Sequence, residues 1–73
     1  MKKFVIAQPG VEGIDLFHTR QFGNKNYVEL EISVNRDSSL VAAHEVAENV
    51  HAKLEEEFPS IKHVMIHVNP SNE

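Results

Sequence analysis

The chain has 73 residues, a formal net charge of −4, a pI near 5.7 and no cysteine. That length fits one small domain whose core is marginal by itself, and neither a disulfide nor a thiolate metal ligand is open to it. The acidic balance argues against nucleic-acid binding and against docking on anionic lipid, both of which favour a basic face.

The N-terminal MKKFVIAQPG sets two lysines before a short apolar run. Gln8-Pro9-Gly10 ends that run well short of a signal-peptide core. No stretch approaches the length of a transmembrane helix, so no membrane insertion by this chain is expected. Residues 2–7 read as a short helical or extended lead-in, broken at Pro9-Gly10. Residues 13–20, GIDLFHTR, read as a first strand, and Gly23-Asn24-Lys25-Asn26 supplies turn chemistry for a hairpin.

In NYVELEISVN the period is two: Val28, Leu30, Ile32 and Val34 alternate with Tyr27, Glu29, Glu31 and Ser33, the pattern of a half-buried strand. Arg36-Asp37-Ser38-Ser39 is a loop ending in a helix N-cap, Ser39 by preference. A helix from about Leu40 to Phe58 carries an apolar stripe of Leu40, Ala43, Ala47, Val50 and Leu54, and Pro59 stops it. The last strand, Ile61 to Val68, sets Val64, Ile66 and Val68 on one face and His63, Met65 and His67 on the other.

Strand, helix and strand in that order predict a crossover that makes the second and third strands parallel, and the hairpin makes the first antiparallel to the second. The expected fold is α+β: an αββαβ open ferredoxin-like sandwich, a three-stranded mixed sheet with the second strand central and the helices on one face. The other face is then left uncovered, with Tyr27, Glu29, Glu31, Ser33, His63, Met65 and His67 on it. The first strand has apolar residues on both faces. One register adds Asp15, Phe17 and Thr19 to the open face, and its opposite is also compatible with the sequence. Strands lie about 4.8 Å apart, so side chains on neighbouring strands can converge on one ion, and carboxylate oxygen with imidazole nitrogen suits divalent first-row metals. Composition alone reads the same face as a solvated one with a few exposed apolar groups.

Several pieces in order carry a family likeness: PGVEG at Pro9 to Gly13, HTR-x-x-G at His18 to Gly23, YVELEISV, the loop RDSSL, AAHEVAENV with its Ala-His pair early in the helix, and FPSIKHVMIHVNP. Together they resemble the cytoplasmic C-terminal domain of the cation diffusion facilitator family of metal transporters, over nearly the whole chain. The resemblance implies a metallochaperone-like αββαβ fold for residues 1–73 as one regulatory and dimerisation domain, cytoplasmic, working as a homodimer. It implies binding of zinc or a similar cation near the dimer interface, which draws the two domains together and regulates the membrane transporter domain. By that likeness His67 and His44 stand at ligand positions as histidines, and Asp15 and Glu31 stand where histidines are common. Asn69 stands where an acidic residue is usual, so there the chain departs from the pattern. The oxygen donors harden the site and raise manganese or iron(II) relative to zinc, yet the affinity series still ranks zinc first.

His44 sits on the helix, away from the open face, so it is expected to reach the site from the partner subunit. His44, Glu48, His51 and Glu55 share one helix flank, which by spacing alone is a wet surface, and His63 reads as solvated. HEVAE, His44 to Glu48, is half of a zinc-protease motif without its second histidine. No nucleophile grouping or phosphate loop is present, and the chain is not expected to be an enzyme. Two alternatives stand beside the metal-responsive reading: a metal-independent pairing module that buries Phe17, Tyr27 and Met65, and a stand-alone soluble metal carrier.

Overall fold

The structure is a computed structural model that describes residues 1–71. It contains α1 (Lys2–Ile6), β1 (Gly13–Phe22), β2 (Lys25–Val34), α2 (Leu40–Glu57) and β3 (Ile61–Pro70). The three strands form one sheet in the order β1-β2-β3, antiparallel between β1 and β2 and parallel between β2 and β3. The α+β architecture expected from the alternation and the crossover is therefore present, with β2 at the centre.

Each helix covers the face that alternation marked as apolar. Val28, Leu30 and Ile32 of β2 are buried together with Val5 of α1, Val50 and Leu54 of α2, and Ile61 and Val64 of β3. Burying five of the largest of these side chains completely (Leu30, Ile32, Leu54, Val5 and Val50) contributes roughly 1.5–3 kcal/mol each before chain entropy is counted. Phe4 and Phe58 close one end of this layer edge to face, their ring centroids 5.5 Å apart. Ser39 caps α2 as its chemistry predicts, its hydroxyl accepting from the Ala42 N–H at 3.0 Å.

Two expectations are corrected. Leu40 is not part of the buried stripe: it is 87% exposed, because the first turn of α2 stands off the end of β3 across a cavity of about 510 Å³. The stripe that does pack is Ala43, Val46, Val50 and Leu54, while Ala47, expected on it, lines the same cavity. The second correction concerns β1. Its register with β2 pairs Ile14 with Ile32 and then Leu16 with Glu31, so one residue, Asp15, is inserted as a bulge. Beyond the bulge Phe17 pairs with Leu30 and Thr19 with Val28, which puts both on the helix-covered side. Phe17 packs against the core there, with the Lys2 ammonium 5.8 Å from its ring centroid. Leu16, His18 and Arg20 take the open face instead, opposite Glu31, Glu29 and Tyr27.

Candidate metal centre on the open sheet face

The uncovered face is a grid set by strand register. Leu16, Glu31 and His67 form one row across the three strands; His18, Glu29 and Met65 form the next; Arg20, Tyr27 and His63 form the third. Adjacent partners on such a grid are about 5 Å apart at Cβ, so Glu31 and His67 lie side by side.

Asp15 follows Gly13 onto this face by ordinary alternation, and the bulge after it puts Leu16 on the open face as well and shifts Phe17 and Thr19 to the core side. The Asn69 amide then ties the two carboxylates together: its Nδ2 donates to Asp15 Oδ2 at 3.1 Å and to Glu31 Oε1 at 3.1 Å. Asp15 and Glu31 are thus bridged by one amide, and His67 is the neighbour of Glu31 across the β2–β3 register. Two carboxylate oxygens and one imidazole nitrogen are a donor set that fits a borderline-to-hard divalent cation.

The fourth candidate does not join them in this chain. His44 lies on α2, its Nε2 3.2 Å from Glu48 Oε1, and both side chains are largely exposed. It lines the cavity between α2 and β3, as does Asn69, but α2 packs on the opposite side of the sheet from Glu31 and His67. His51 follows the same flank, with Nδ1 3.7 Å from Glu55 Oε1; the flank is solvent-facing as its spacing suggests, and each imidazole also meets a carboxylate one turn on. Among the described residues, no three His, Asp or Glu side chains are grouped closely enough within one chain to hold a metal ion.

The far end of the open face is apolar and aromatic. Tyr27 meets Phe22 edge to face at 5.4 Å and tilts toward His63 at 6.3 Å. Phe22 is 60% exposed and Met65 46% exposed. Sequence reasoning placed Tyr27 and Met65 here but missed Phe22, which the longer β1 carries onto this face; the extension of apolar character past Arg20 was the available signal. It also missed that Asn69 is a hydrogen-bonding partner of the site.

A mixed three-stranded sheet with both helices on one face defines a small open ferredoxin-like α+β domain. The family model described as "Cation efflux protein, cytoplasmic domain" matches residues 1–71, and the chain belongs to that family. It is accordingly a cytoplasmic domain of the cation efflux class. Metal tolerance protein C1 of Arabidopsis thaliana is 30% identical over 71 residues, covering 97% of this chain and 15% of that protein. The cation-efflux pump FieF of Cronobacter sakazakii is 36% identical over 66 residues, covering 90% and 22% respectively. The manganese efflux system protein MneP of Bacillus subtilis is 27% identical over 60 residues, covering 82% and 20%. The chain thus spans only 15–22% of the length of these relatives. The solved MamM C-terminal domain superposes with a TM-score of 0.90 at 22% identity, covering 94% of this chain and 87% of that one. A nickel form and a manganese form of MamM variants match at TM-scores of 0.91 and 0.89, with 21% and 22% identity, covering 96% and 94% of this chain and 89% and 87% of theirs. At those identities the likeness establishes the fold.

Proposed function

We propose that residues 1–73 form a single metal-responsive dimerisation domain of a cation diffusion facilitator. Two copies pair so that the end of each open sheet face that carries Glu31 and His67 meets the α2 flank of the other. Each of two equivalent sites takes Asp15, Glu31 and His67 from one protomer and the partner subunit's His44, as two-fold symmetry requires. The cation is zinc first, with manganese or iron(II) as the alternatives, and its binding draws the protomers together and so regulates transport by the membrane part. The observation that carries this reading is the convergence of the Asp15 and Glu31 carboxylates on one amide beside His67. A cation shifts an open–closed equilibrium only by its preference for the closed state, and a ligand drawn from the partner supplies that preference. The domain is a regulatory one, with no catalytic role.

Titration of the chain with zinc, manganese and iron(II) tests this. Saturable heat with one ion per chain is expected. The melting temperature should rise with the ion, since ligand at a hundred times its Kd stabilises by about 2.7 kcal/mol. Absence of heat and an unchanged melting temperature with all three ions contradict the reading.

A second reading rests on the exposed Phe22 and Met65 with the half-buried Tyr27 between them: pairing through apolar contact alone, with no metal. Phe22 takes the place that the sequence assigned to Phe17. That reading requires a dimer whose sedimentation is the same with and without chelator; a monomer at high concentration eliminates it.

A further inference from the structure

The row beyond Glu31 and His67 is built from unusually small residues. Gly13 of β1 is opposite Ser33 of β2, and Ser33 is opposite Asn69 of β3. A Cβ at Gly13 would lie 2.8 Å from Ser33 Oγ, so no larger side chain fits there without displacement. This low row lets the Asn69 side chain lie across β2 and reach Asp15 on the far strand as well as Glu31 diagonally behind it. Both protons of its NH2 group are committed, one to each carboxylate. Two carboxylates held to one amide repel each other, and a polarised N–H pair between them offsets that repulsion as a cation would.

We infer that Asn69 is a built-in stand-in for the cation: in the metal-free domain its NH2 group holds the Asp15 and Glu31 carboxylates together, and a divalent ion enters by displacing it. The inference rests on the site proposed above and adds its regulation. Asn69 is a positioning residue that trades affinity for order in the empty state. The pair of acceptors is kept convergent without metal, and each binding event must break two charge-assisted hydrogen bonds.

Nitrogen-15 NMR of the 73-residue chain reads this without a variant. In the metal-free chain the Asn69 side-chain protons should be downfield-shifted and slow to exchange, and zinc should abolish that signature with the midpoint found by calorimetry. An ordinary, freely exchanging amide in the metal-free chain overturns the inference, as does a signature that persists with zinc bound. If calorimetry finds no zinc binding, the site reading fails and the displacement step with it, while the metal-free amide signal still decides the clamp. In Asn69→Asp a third carboxylate replaces the NH2 donor. Its metal-free melting temperature should fall below that of the wild type, and its zinc affinity should rise about tenfold or more. Unchanged values of both contradict the inference.

Discussion

Gly10→Ala should lower the melting temperature by about 10 °C or more, through two costs that act at the same atom. Gly10 has φ +86°, a left-handed conformation that costs an L-residue roughly 1–2 kcal/mol. Its Cβ would also stand 2.5 Å from Val46 Cγ2 on α2, an overlap whose relief costs about 1–3 kcal/mol. The chain here turns from α1 into β1 and lies directly on α2. The same junction is tied by Gln8, whose Nε2 donates to the Phe4 carbonyl at 3.1 Å and whose Oε1 accepts from Asn49 Nδ2 at 3.2 Å. The neighbour therefore cannot move away freely. A 73-residue domain has a total stability of about 4–11 kcal/mol, so the combined cost is a large share of it. Gly23 is the internal control. It also has positive φ, +62°, but nothing lies within 4 Å of its added Cβ, so Gly23→Ala carries the backbone cost alone. Thermal melts of both variants separate the two contributions, and equal losses contradict the steric half.

His67→Ala should weaken zinc binding about a hundredfold or more, since loss of a mere supporting contact to a metal ligand already costs 10–100-fold. His51→Ala should leave affinity near that of the wild type, because His51 sits on the α2 flank against Glu55, across the sheet from Asp15 and Glu31. The contrast matters more than either value. Both residues are partly or wholly exposed imidazoles in an acidic chain, and nonspecific surface binding would treat them alike. Calorimetry on the two variants, with circular dichroism to establish that each is folded, gives the comparison directly. Equal effects contradict a built site.

Period-two alternation made β2 and β3 readable, because one face of each had to be buried. With them came the central strand, the parallel crossover and the placement of Glu31 and His67 on one open face, though alternation did not give the register that sets them side by side. Where both faces of a strand are apolar that signal fails, as it did in GIDLFHT. The bulge then decided the register, sending Phe17 and Thr19 to the core side while Asp15 before it stays on the open face. Alternation alone has no means of announcing one inserted residue. Leu40 was misassigned for a related reason: helical periodicity continues to the end of a helix whether or not the partner surface extends that far. The Asn69 bridge was hidden because it spans two strands over Gly13 and Ser33, a contact set by the height of side chains in a row and by nothing local in HVNP. His44 entered only through the family pattern; its own surroundings on α2 distinguish it little from His51.

A cation shared across two protomers at the end of the open sheet face should be visible in a crystal structure of the zinc-loaded chain with anomalous scattering at the zinc edge. One anomalous peak per chain is expected, within about 2.0–2.2 Å of nitrogen from His67 and of oxygen from Asp15 and Glu31, with the partner subunit's His44 completing the site. A peak held instead by His63 or His51, or no ordered ion at this face, would contradict a shared cation.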